Sequence, residues 1–64
     1  GADIDAIKLA ISRLKKDYQD ILIWYYLEDM SSEQIATILQ RPEGTVRVMI
    51  HRALELLKKE LDVS

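Results

Sequence analysis

The only proline of this chain, Pro42, interrupts what would otherwise be two helical patterns in close succession. It pushes Arg41 out of the helical region of backbone space, and its own fixed φ suits the first position of a new helix. The segment before it, "MSSEQIATIL", begins with an equally definite start signal. Ser31 as N-cap and Gln34 three residues later make a capping box, while Met30 and Ile35 are placed as a hydrophobic staple. The spacing therefore predicts a short helix over 32–39, with Ile35, Ala36, Ile38 and Leu39 as its buried face, then a turn of about three residues. A long helix over 42–61 follows, carrying Val46, Ile50, Ala53 or Leu54, Leu57 and Leu61 on one stripe.

Upstream, Ile4, Ile7, Ile11 and Leu14 form one apolar stripe. Asp3 and Asp5 at its start, with Lys15 and Lys16 near its end, complement the helix dipole and predict a helix over 4–15. The run Tyr18 to Leu27 has the aromatic and β-branched content of a strand, yet Tyr18, Ile21, Leu22 and Tyr25 keep helical spacing and no second strand is available to pair with it. It is read as a helix buried on most sides, with Tyr18, Trp24, Tyr25 and Tyr26 chiefly core. The expected fold class is all-α: a small four-helix domain without strands, containing a helix-turn-helix over about 31–61.

Sixty-four residues make one domain, 1–64, which buries about 60% of the surface its unfolded chain exposes. Gly1 and Ala2 read as an expression remnant and the numbering as that of a fragment. Cys is absent, so no disulfide framework or thiolate metal site exists, which fits a reducing cytosol. The longest apolar run, "ILIWYYL", falls far short of the roughly 20 residues that span a bilayer, so no membrane association is expected. His51 has no Cys or second His to share a metal, and no nucleophile is marked, so neither cofactor nor catalysis is expected.

The net charge of −2 is unevenly distributed. Residues 1–40 carry four basic side chains (Lys8, Arg13, Lys15, Lys16) against seven acidic ones (Asp3, Asp5, Asp17, Asp20, Glu28, Asp29, Glu33), a balance of −3. Residues 41–59 carry five (Arg41, Arg47, Arg52, Lys58, Lys59) against two (Glu43, Glu55), a balance of +3, and Glu60 and Asp62 follow. The positive segment contains the turn and most of the long helix, whose N-terminal part recognition helices place in the major groove.

With "EQIA", "PEGTVR" and "HRAL" in this order, the region from about Leu14 to Leu61 resembles region 4 of bacterial RNA polymerase sigma factors, particularly the extracytoplasmic-function type. The resemblance implies the winged-helix-like, strandless region 4 fold and a cytoplasmic transcription-initiation role. Its partners would be double-stranded promoter DNA, contacted at the minus-35 element, and the flap of the polymerase β subunit, with an anti-sigma protein as a possible third. The flap-contacting surface is expected among the early helices and the far end of the last one. Two departures stand out: Asp29 and Gln40 occupy positions where the family usually has Gly, and both positions favour a left-handed backbone. Val48 and Met49 replace the common polar pair after the basic residue.

The candidate DNA-binding residues are Arg41, Glu43, Thr45, Arg47, Val48, His51 and Arg52. Arg47 is the leading base reader, as a bidentate donor to guanine O6 and N7, with Val48 beside it against a thymine methyl. Glu43 either accepts from a cytosine amino group or complements the helix dipole. Thr45 and Arg41 suit phosphates near the helix N-terminus, and His51 and Arg52 the flanking backbone. Met49 belongs to the edge of the core. The alternatives are a regulator of the response-regulator output type, or a protein-interaction module derived from the same fold, for which the acidic total and Val48 speak.

Overall fold

The computed structural model describes residues 3–63; Gly1 and Ala2, read above as an expression remnant, lie outside the described residues. Four helices form: α1 (Ile4–Ser12), α2 (Lys16–Leu22), α3 (Ser32–Leu39) and α4 (Glu43–Val63), with no strand among the described residues. The last is 21 residues long, roughly 31 Å at the α-helical rise. It is the spine against which the other three pack.

The core follows from α4's inner stripe. Val46 and Ala53 are fully buried and Ile50 nearly so; they meet Ile21 and Leu22 of α2 and Ile35 and Ala36 of α3. At the ambiguous position it is Ala53 that faces inward, while Leu54 is half-buried. Small residues at the crossing let the helix axes approach, and Leu14, Tyr18, Trp24, Met30, Leu39 and Met49 pack around the edge.

Several local expectations change on folding. The first helix stops at Ser12 rather than near residue 15, and Lys15, expected near its end, is instead the N-cap of α2. Gln19 reaches back from α2, its Nε2 donating to the carbonyls of Ser12 (3.1 Å) and Leu14 (3.0 Å), and so satisfies the end of α1. Of α1's residues only Ala10 is buried; Ile4 is 68% exposed. In α3, Ile38 is 51% exposed rather than part of the buried face.

The larger correction concerns the aromatic run. After Leu22 the helix continues as a π-helical turn, Ile23–Leu27, in which Glu28 N–H donates to Ile23 O. The wider turn rotates every later side chain off the α-helical stripe. No residue of that turn is buried: Trp24 and, before it, Tyr18 touch the core, whereas Ile23, Tyr25, Tyr26 and Leu27 are exposed. Tyr25 and Tyr26 stack edge to face, ring centroids 5.0 Å apart.

The helix-turn-helix is closed by caps the sequence announces. Ser31 Oγ accepts from Gln34 N–H (3.1 Å) and Gln34 Oε1 accepts from Ser31 N–H (2.9 Å), completing the capping box. At the other end Arg41 N–H donates to Ala36 O (3.1 Å) and Gln40 N–H to Thr37 O (3.3 Å), a Schellman pair. The pair requires a left-handed residue, and Gln40 has φ 56°, ψ 47°. Asp29, after the π turn, is likewise at φ 55°. Both departures from glycine thus adopt the backbone that glycine would supply. Replacing Gln40 by Gly is expected to stabilise the domain by about 0.5–1 kcal/mol, the Cβ strain outweighing the added freedom of the unfolded chain. Thermal denaturation should show a rise in Tm for Gln40→Gly and none for Gln40→Ala.

Candidate nucleic-acid interface

The Schellman turn and Pro42 end α3 and start α4, and the burial of Val46, Ile50 and Ala53 dictates which side of α4 faces outward. Gly44, Arg47, Val48, His51, Arg52 and Glu55, at helical spacings of three and four, are all exposed and share that outer face. Thr45 flanks it and Arg41 stands exposed in the turn above. The structure therefore brings Arg47, Val48, His51 and Arg52 together on one ridge, with Arg41 and Thr45 at its upper end. Val48 is 59% exposed, and Met49 turns to the core edge, so the apolar pair splits as its spacing predicts.

Glu43 is the member of the candidate set whose surroundings differ most from the sequence expectation. It is half-buried at the first position of α4, and its Oε2 accepts from Ser32 Oγ of α3 at 2.8 Å. The same oxygen accepts from Arg47 Nε at 3.1 Å and lies 2.9 Å from Arg47 Nη2. Two of the candidates are thus an ion pair, and part of Arg47's charge is neutralised before any partner arrives. The hydrogen bond from Ser32, followed by the hydrogen bond and charge of Arg47, holds the Glu43 carboxyl below its ordinary value, against an opposing effect of burial. Ser32 was not among the sequence candidates, because its partner lies 11 positions away and no local periodicity connects them.

The exposed π turn borders a second surface. Ile4, Ile7 and Ile11 of α1, Tyr26 and Leu27 of the π turn, and Leu54 and Leu57 of α4 line an apolar groove. Leu27 is 75% exposed at its rim. Among the described residues no group of acidic, His or Cys side chains is arranged to hold a metal ion, and no helix is long and apolar enough to cross a membrane.

A short boxed helix, a left-handed turn and a long helix with an exposed basic ridge define a helix-turn-helix domain. The family model described as "Sigma-70, region 4" matches residues 4–57, and the chain belongs to that family. It is 35% identical over 57 residues to the ECF RNA polymerase sigma factor SigW of Bacillus subtilis (strain 168), covering 89% of this chain and 30% of that one. It is 43% identical over 51 residues to the RNA polymerase sigma-H factor of Pseudomonas aeruginosa, covering 80% of this chain and 26% of that protein. The chain thus spans less than a third of the length of these relatives, and no solved structure matches it. It is a sigma-factor DNA-binding domain of the extracytoplasmic-function type, a regulatory module rather than an enzyme. The family match favours this over the response-regulator reading.

The lowered carboxyl of Glu43 has a definite pH signature. A group whose folded value lies below its unfolded one contributes stability that is complete above the ordinary glutamate value and is lost as pH falls through the lowered value. In urea denaturation from neutral to acid pH, the stability difference between the wild type and Glu43→Gln should therefore shrink across that acid window. A difference constant with pH would show that the carboxylate's charge contributes nothing to the bracket.

Proposed function

We propose that this domain reads the minus-35 element of a promoter through the outer ridge of α4 while its apolar groove docks the flap of the polymerase β subunit. The observation that carries the DNA reading is the shared exposure of Arg47, Val48, His51 and Arg52 opposite the buried stripe of α4. A helix of about 10–12 Å diameter presented on one side by a helix-turn-helix fits the major groove, about 12 Å wide. In this reading Arg47 donates to guanine O6 and N7, and Val48 meets a thymine methyl. Arg41 and Thr45 hold phosphate near the positive end of α4, and Arg52 with His51 reaches the flanking backbone.

Flap docking is supported by the position of the groove, which joins α1, the π turn and the second half of α4, on residues other than those of the DNA ridge. Its walls are apolar, and an open Leu27 and Tyr26 at the rim suit a hydrophobic partner segment. An anti-sigma protein covering either surface would block initiation. The site of action, with polymerase, is the cytoplasm.

Binding measured on randomised duplexes tests the DNA reading. Arg47→Ala should weaken binding to the preferred sequence by about 1–3 kcal/mol and relax the preference. Arg52→Ala should weaken all sequences alike and reduce the salt slope by about 1. Equal small losses on every sequence for both variants would remove Arg47 as a reader. Leu27→Asp, at an exposed rim position, should abolish association with a β-flap fragment while leaving DNA affinity unchanged; retained association would place the flap elsewhere.

A further inference from the structure

The bracket at the head of α4 has a geometry that bears on base discrimination, granted the DNA reading above. Oε2 of Glu43 accepts from Ser32 Oγ at 2.8 Å and from Arg47 Nε at 3.1 Å, and Arg47 Nη2 lies 2.9 Å from the same oxygen. A guanidinium is planar, with its N–H donors in a rigid fork. Holding Nε and Nη2 on one carboxylate oxygen occupies the side edge of that fork and leaves its end, one N–H of Nη1 and the second N–H of Nη2, free. Bidentate reading of guanine needs such an edge, presented at a fixed tilt. Arg47 itself is 69% exposed and on a long flexible stem, and among the described residues its hydrogen-bond and ion-pair partner is Glu43. Glu43 lies on the same helix and would swing with its own rotamers. Ser32 is the one member of the bracket anchored on a different helix, at the first turn of α3 behind an intact capping box.

We infer that Ser32 is a specificity-determining residue of this domain: through Glu43 it fixes the plane of the Arg47 guanidinium, so that the free edge meets guanine, while Ser32 itself touches no DNA. Glu43 is then a positioning residue rather than an acceptor for cytosine, since its Oε2 is already engaged by the Ser32 hydroxyl and the Arg47 guanidinium. Ser32 carries no charge, so its removal alters orientation without altering the electrostatic attraction to phosphates. Glu43→Gln, in contrast, changes both.

The test selects a pool of randomised duplexes with the wild type, Ser32→Ala, Ser32→Thr and Arg47→Ala. The wild type should enrich guanine at one position, and Arg47→Ala should lose it. Ser32→Ala should lose about fivefold of that preference, the equivalent of one hydrogen bond, with affinity for the unselected pool unchanged. Ser32→Thr, which keeps the hydroxyl, should retain the preference. A wild-type preference in Ser32→Ala, together with its loss in Arg47→Ala, overturns this inference alone. Absence of enrichment by the wild type, or an unchanged preference in Arg47→Ala, overturns the DNA reading and this inference with it. Loss of affinity by Ser32→Ala for all sequences alike marks a merely structural role and also overturns it. Without DNA, ¹⁵N relaxation of the Arg47 Nε–H should show faster motion in Ser32→Ala than in the wild type; equal order in both removes the clamp.

Discussion

Everything in this domain depends on the burial of one stripe of α4. Val46, Ile50 and Ala53 lie against Ile21 and Leu22 on one side and Ile35 and Ala36 on the other, and few further side chains are fully enclosed. A chain of this size has no second core to fall back on. The stripe therefore does two things at once: it holds α2 and α3 in place, and it fixes the rotation of α4 about its own axis. The exposed ridge is the geometric complement of that stripe, because a helix that buries one face must present the other.

What aims the ridge is the turn. The Schellman pair between α3 and residues 40 and 41 puts Gln40 into a backbone region unfavourable to a side chain, and the strain is tolerated because the caps, Pro42 and the core all over-determine it. The Ser32–Glu43 hydrogen bond then ties the heads of the two helices directly, and Arg47, the proposed base reader, joins the same bracket. In the proposed DNA reading, stability and recognition meet at that carboxylate. The apolar groove, by contrast, is bordered by the π turn, so one irregularity in the second helix both leaves Trp24 as that turn's contact with the core and borders a separate surface.

How much of this was legible varies residue by residue. Ser31 and Gln34 announced the capping box, and Pro42 the break, because caps and prolines act through groups within a few positions of one another. The inward face of α4 was legible from its period, apart from the choice between Ala53 and Leu54. The exposure of Ile38, Tyr25 and Tyr26 was not, because apolar identity says that a side chain can be buried, not that a neighbour exists to bury it. The π turn was invisible for a related reason: its widened hydrogen bonding leaves α-helical spacing in the sequence unchanged while shifting where each side chain ends up.

The candidate interface divides in the same way. By itself the sequence determined that the chain is helical, where the helix-turn-helix lies, that positive charge gathers in residues 41–59, and that Arg47 and Val48 diverge from Met49. These are consequences of local spacing and local backbone preference. Only the tertiary structure decided that Glu43 is engaged by Ser32 and Arg47, and that an apolar groove opens beside the π turn. Both depend on contacts between separate elements, whose distances are set by how the helices pack and not by how far apart their residues stand in the chain.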